Sequence, residues 1–301
     1  YIGGGGSDSA EAVSFANGKV YVTGSTSSTD LPATPNAAQA TAGGDFDAWV
    51  ARFDLSQPSP LEYLSYLGGS GQDAAFSLAV DGVGRFSISI STRSAGFPVS
   101  INARQAALNG GADAFVTRFA ANGSIDYSTY LGGSSASTTE NAKIALDASG
   151  AFLLTGFTDS ADFPAGTAAS VFQATKAAGS DVFVARLDPS LPPPQQITAR
   201  TFIGGSAVDG LIPSVARGDF AISVAQDASG NVYVTGFTSS SDFPMANATD
   251  SSYGGAYDVF VSKLDPTLST LLFSTFVGGA SDDRGYAVLV DATNAIHVLG
   301  R

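Results

Sequence analysis

The sequence predicts an all-β fold made of repeated four-stranded antiparallel units. Three observations carry that prediction. An aromatic-x-Gly-Gly string recurs along the chain at near-constant spacing. Between its copies lie four short runs rich in β-branched and aromatic residues, of strand length and too short for helices. The composition agrees: 44% apolar, only 14% charged, with 35 Gly, the profile of a β-rich chain with many tight turns.

The string starts at Tyr1, Tyr66, Tyr130, Phe202 and Phe276, at spacings of 65, 64, 72 and 74 residues. This gives repeats of about 1–65, 66–129, 130–201, 202–275 and a partial 276–301 within one domain. An apolar run ending in Asp follows each later copy: "SLAVD" to Asp81, "KIALD" to Asp147, "SVAQD" to Asp227, "VLVD" to Asp291. Then come a turn and a second run: "VYVTG" at Val20 and Val232, "FLLTG" at Phe152, "IHVLG" at Ile296. Third is "DLP" at Asp30, "GFP" at Gly96 and "DFP" at Asp162 and Asp242. Last is "DAWVARFD" at Asp47, "DAFVTRFA" at Asp113, "DVFVARLD" at Asp181 and "DVFVSKLD" at Asp258.

The turn "DASGN" at Asp227 to Asn231, with "DASG" at Asp147 and "DGVG" at Asp81, reads as a hairpin with a residue at positive φ. In "DAFVTRF", Phe115 and Phe119 share one strand face and Val116 shares the other with Arg118, so both faces carry apolar groups. Sheets covered on both sides by similar sheets produce that pattern.

Four-stranded units at a fixed period indicate a β-propeller, since one unit cannot bury both faces alone. A parallel β-helix needs shorter rungs, and an immunoglobulin-like array needs about 100 residues per unit. If each blade runs from "DAFVARF" to "VYVTG", about five blades are visible, the first lacking its first strand: 19 strands in all. On that frame the chain starts and stops inside its repeat. Either it is a piece of a longer chain, or another molecule supplies the strand.

The ordered set "YLGGSGQDAAFSLAVD", "VYVTGFTSSSDFP" and "DVFVARLD" resembles the SBBP repeat, a bacterial β-propeller repeat of large secreted and cell-surface proteins. The likeness extends over essentially the whole chain. It implies a propeller and an extracellular setting, and it implies no catalytic residue. Departures are Ile90 in place of Gly24, Gly156, Gly236 and Gly300, and Gly96 in place of Asp. Extra residues occur at Val208 to Phe220, and a Pro-rich connector runs from Asp188 to Gln196.

The net charge is −13, which repels phosphate backbones and argues against nucleic acid. There is no Cys, so disulfides, Cys-ligated zinc and thiolate nucleophiles are excluded. No window approaches 18 continuous apolar residues, so no membrane insertion is expected. The Gly strings lack the Lys-Ser/Thr ending of a phosphate loop.

The carboxylates are lopsided, with 24 Asp against 3 Glu. Asp suits turns, and it also suits calcium. The loops at Asp8, Asp73, Asp209, Asp282 and Asp283 are the calcium candidates. Tyr253 and Tyr257 are the aromatics expected to contact a ligand. Arg52, Arg118, Arg186 and Lys263 recur in register, suiting either an anion-binding ring or ion pairs with Asp residues such as Asp30, Asp162 or Asp242. His297, the only histidine, reads as a substituted core residue at the place of Tyr21 and Tyr233.

The expected function is a non-catalytic structural or interaction module of a bacterial surface or secreted assembly. Its partners would be other copies of itself, other surface proteins or polysaccharide, with no cofactor other than calcium. One alternative is a carbohydrate- or protein-binding module using variable loops. Another is a polysaccharide-active enzyme with an Asp-lined central site.

Overall fold

A computed structural model describes residues 1–136, 140–210 and 222–301. Strands β1 (Asp8–Ala16), β2 (Lys19–Thr26), β3 (Asp47–Phe53) and β4 (Leu61–Leu67) form the first sheet, in that order. The second holds β5 (Asp73–Val80), β6 (Phe86–Thr92), β7 (Asp113–Phe119) and β8 (Ile125–Leu131). The third runs through β9 (Asn141–Leu146), β10 (Phe152–Thr158), β11 (Asp181–Leu187) and β12 (Ile197–Ile203). The fourth holds β13 (Ser223–Gln226), β14 (Val232–Thr238), β15 (Asp258–Leu264) and β16 (Leu271–Val277). A two-stranded hairpin, β17 (Gly285–Val290) and β18 (Ile296–Gly300), follows. The pairing is antiparallel, as in β2–β3 and β3–β4. The helical content among the described residues is one short 3-10 turn, Pro193–Gln195, in the Pro-rich connector.

The fold is therefore all-β, built from four-stranded antiparallel sheets, but the sheets are framed differently from the expectation. Each begins at the run ending in Asp and closes on the aromatic-x-Gly-Gly string. The first sheet is complete, Tyr1 to Gly4 form no strand, and the two-stranded sheet is the last one. The expectation of an incomplete first blade and 19 strands is thus corrected to 18 strands among the described residues. The expected boundary lay at the long connection between the second and third strands, residues 27–46 in the first sheet. Antiparallel bonding nevertheless joins β2 to β3 across it, from Val20 opposite Phe53 to Thr26 opposite Asp47. A long loop does not prevent two strands from pairing, because closure entropy grows only slowly with length. The chain leaves the sheet at the Gly-Gly.

The chain divides into two compact units, one of Tyr1–Leu146 and Pro189–Pro194, the other of Asp147–Asp188 and Gln195–Arg301. In the first unit the alternation of β3 sorts its side chains by face. Ala48 and Val50 join a core with Tyr21, Tyr63, Phe86, Ile88 and Phe119. Trp49 and Ala51 join another with Leu31, Leu64 and Tyr66. Phe86 stacks on Phe119 with centroids 4.8 Å apart, and Tyr63 meets Phe86 edge-on at 5.7 Å. This joins the first sheet to the second, with β5 lying against β1 and β2. In the second unit Phe163 packs on Phe183 at 4.3 Å and Phe243 on Phe260 at 4.6 Å. There β17 lies against β13 and β14.

The hairpin turns form as predicted. Gly84, Gly150 and Gly230 have φ of 83°, 83° and 85°. The Asp that opens each turn caps it: one Asp227 oxygen accepts from the Ser229 and Asn231 N–H groups, and Asp147 does the same for Ser149 and Ala151. The insertion expected from Val208 to Phe220 lies outside the described residues beyond Gly210.

Candidate functional site

The repeat gathers its polar side chains at one place, the end of each sheet where the Gly-Gly string leaves it. A carboxylate four residues after the second glycine turns back to accept its N–H. Asp73 accepts from Gly69 N at 2.7 Å, Thr92 Oγ1 at 2.5 Å and Ser94 Oγ at 2.8 Å. Asp8 accepts from Gly4 N, Thr26 Oγ1 and Ser28 Oγ at 2.9, 2.5 and 3.0 Å. Asp209 accepts from Gly205 N at 2.8 Å, Ser240 Oγ at 3.1 Å and Thr238 Oγ1. Asp283 accepts from Gly279 N at 2.7 Å; in the third repeat the carboxylate is Glu140, seven residues on, which accepts from Gly133 N at 2.9 Å.

The Thr and Ser belong to a Thr-x-Ser turn that ends the second strand of each sheet. Thr92 Oγ1 accepts from Ser94 N at 2.9 Å, and Thr26, Thr158 and Thr238 repeat the bond with Ser28, Ser160 and Ser240. Sequence reasoning missed these hydroxyls. Their signal was the fixed Thr-x-Ser spacing at 26–28, 92–94, 158–160 and 238–240.

A second carboxylate, at the start of the third strand, flanks the first glycine. Asp113 Oδ2 accepts from Asn109 N at 2.9 Å and Gln105 Nε2 at 2.6 Å. Asp181 Oδ2 accepts from Ala177 N at 2.8 Å and Gln173 Nε2 at 3.0 Å, and Asp47 Oδ2 from Gly43 N at 2.7 Å. Gln39, Gln105 and Gln173 turn their carbonyls to the N–H of Gly68, Gly132 and Gly204. Here the need for glycine is steric. A Cβ on Gly68 would lie 1.9 Å from Asp47 Oδ1, and one on Gly132 would lie 2.2 Å from Asp113 Oδ1.

Burial shapes the electrostatics of these groups. Asp113 is pushed up to about 7 by burial and the nearby Glu140. Asp209 is also pushed up to about 7, by burial, against its hydrogen bonds. Burial raises Asp47, Asp73 and Asp181 as well. Asp8 differs: burial is slight, and the donors Thr26, Gly4 and Ser28 outweigh it and hold the carboxyl low.

The five calcium candidates therefore do not form one site. Asp8, Asp73, Asp209 and Asp283 stand at equivalent places in their repeats and face N–H or O–H donors. Asp282 is exposed, 3.9 Å from Arg284. Among the described residues no three His, Cys, Asp or Glu side chains gather to hold a metal. Tyr253 and Tyr257 are half-buried. Tyr253 packs on Phe276 at 5.9 Å and donates to the Ala256 carbonyl, and Tyr257 meets Phe237 edge-on at 5.3 Å.

The recurring basic residues form ion pairs, but with other carboxylates than expected. Arg52 pairs with Glu62, Arg118 with Asp126, Arg186 with Asp147 and Lys263 with Asp227. Asp30 and Asp242 serve the Gly strings instead, accepting from Gly5 N and Ser206 N. His297 is exposed rather than core, because the last sheet has two strands. Its Nε2 lies 3.0 Å from Asp291 Oδ2, as Tyr233 Oη lies 2.9 Å from Asp227 Oδ2.

No protein-family model matches the chain, and no curated protein matches it. Among solved structures it is similar to a "putative exo-beta-1,3-galactanase from Bifidobacterium bifidum s17". The identity is 11% and the TM-score 0.40, over 99% of this chain and 80% of that one.

Proposed function

We propose that the chain belongs to a β-propeller that acts as a non-catalytic structural or interaction module in an extracellular or cell-surface setting. One observation carries the reading: the polar side chains that recur in every repeat close on the backbone of their own repeat. Asp73, Asp113, Asp181 and Asp209 have no exposed surface. A glycosidic bond cannot reach them, and their shifted acidity follows from burial. The sheets supply rigidity and the loops supply contacts.

Two features support the propeller and the surface role. Successive sheets lie against one another within each unit, as blades do: β5 against β1 and β2 in the first, β17 against β13 and β14 in the second. In the first unit Val13 and Phe15 of β1 stand exposed, and in the second Leu289 and Leu299 of the final hairpin do so. Such apolar faces are where further sheets of the same kind would add. The SBBP resemblance points to the setting.

The test is turnover against binding. The purified chain is incubated with a panel of bacterial and plant polysaccharides from pH 5 to 8, and reducing ends are measured beside pull-down. The reading expects no release from any substrate. Release that disappears in an Asp→Asn variant of an exposed loop carboxylate would overturn it.

A further inference from the structure

We propose that Asp113 and Glu140 share one proton, carried on Asp113 Oδ1 and donated to Glu140 Oε2, and that this proton holds the Gly-Gly string between the second sheet and β9. Both oxygens point at the same spot. A Cβ on Gly132 would lie 2.2 Å from Asp113 Oδ1 and 2.5 Å from Glu140 Oε2. Asp113 is fully buried, and its Oδ1 has no hydrogen-bond partner, while Oδ2 takes both the Asn109 N–H and the Gln105 amide. A buried carboxylate oxygen without a donor is costly, and two carboxylates converging on one point cannot both stay charged cheaply. A proton on Oδ1 cures both defects. It neutralises one charge and turns an orphan acceptor into an O–H donor facing an acceptor.

Among the described residues no other donor reaches that oxygen. From β8 the nearby titratable group is Tyr130, whose hydroxyl accepts from Phe97 N and donates to the Ser94 carbonyl. From the loop before β7 come the neutral Gln105 and Asn109, and from β9 comes Glu140, the charge that bears on Asp113. Asp73 also acts on Tyr130, with the same sign as Asp113. Asp47 Oδ1 and Asp181 Oδ1 are orphaned in the same way in their own repeats. At Asp258 both oxygens accept, from Gly254 N at 2.8 Å and Gly255 N at 3.1 Å, and no orphan is left.

The direction of the pH effect follows. A carboxyl raised from 3.8 to about 7 binds more protons folded than unfolded between those values. Its stabilisation is present at low pH and is lost as pH rises through about 7. Asp209 titrates in the same direction, so the test isolates Asp113 by difference.

The experiment follows the carboxyl carbons of the intact chain labelled with 13C-aspartate, and thermal midpoints of wild type, D113N and E140Q from pH 5 to 9. The expected result is an Asp113 carboxyl signal titrating near 7. The wild-type midpoint should fall across that range, relative to both variants. D113N, whose amide donates where the proton did, should match or exceed wild type at pH 8 to 9. An Asp113 signal that titrates in the ordinary carboxylate range overturns the proposal, even if a variant fails to fold. So does calcium addition that raises the wild-type midpoint at pH 8 but not that of D113N, because a cation would then occupy the pair.

Discussion

Replacing Tyr66 with Phe tests how the Gly-Gly strings are anchored. In two sheets the aromatic is Tyr, and its hydroxyl is inserted into a turn. Leu31 N donates to Tyr66 Oη at 2.8 Å, which donates to the Ser28 carbonyl at 3.0 Å. Tyr130 links Phe97 N at 3.2 Å to the Ser94 carbonyl at 2.7 Å. Where the aromatic is Phe202 or Phe276, the equivalent groups bond directly, Phe163 N to Ser160 O at 3.3 Å and Phe243 N to Ser240 O at 3.1 Å. The repeat thus has two solutions to one turn, one wider by a hydroxyl. Tyr66→Phe removes two hydrogen bonds, each with a net contribution of about 0.5–1.5 kcal/mol. If the turn closes as in the Phe sheets, one bond returns and the net loss is about 1 kcal/mol. If it cannot close, the buried Leu31 N–H is orphaned and adds about 1–3 kcal/mol. Urea unfolding of Y66F and Y130F, with hydrogen exchange at Leu31 and Phe97, separates the cases. A loss near 1 kcal/mol with protected amides is expected. A loss above about 3 kcal/mol with fast exchange at Leu31 would refute the interchangeable turn.

Other substitutions probe the same station. Thr92→Val removes a donor to Asp73 and an acceptor for Ser94 N, and should lower stability by about 2–4 kcal/mol. That loss should be larger at pH 8 than at pH 5, because the remaining burial raises Asp73 further; equal losses at both pH values would count against it. Gly68→Ala places a methyl 1.9 Å from Asp47 Oδ1 and should destabilise by about 1–3 kcal/mol, measured by thermal melting. Arg186→Ala breaks a 3.4 Å pair with Asp147 at a partly exposed site and should change stability by no more than about 1 kcal/mol. That small effect should shrink further at high salt, which urea unfolding at two ionic strengths would show.

Much of the candidate site was legible as position, little of it as contact. Asp8, Asp73 and Asp209 were legible as carboxylates of the loops that follow the Gly-Gly strings. Their partners, Thr26, Thr92 and Thr238, lie at the far end of the following strand, and only the hairpin brings them back. An Asp-rich loop read in one dimension does not show the hydroxyl donors that reach it from the next strand. Tyr253 and Tyr257 are half-buried, each against one ring of another strand, Phe276 and Phe237.

The sequence by itself determined the strands, their turns and their two apolar faces. Alternation of Ala48, Trp49, Val50 and Ala51 needs only the two-residue period of an extended chain. Gly84 and Gly150 need only a local conformation open to glycine. Tertiary structure alone decided where a sheet begins, which carboxylate Arg52 meets, and that Asp113 and Glu140 come together beside Gly132. Those outcomes depend on distances between residues far apart in the chain. Strand pairing sets those distances, and a one-dimensional pattern does not contain them.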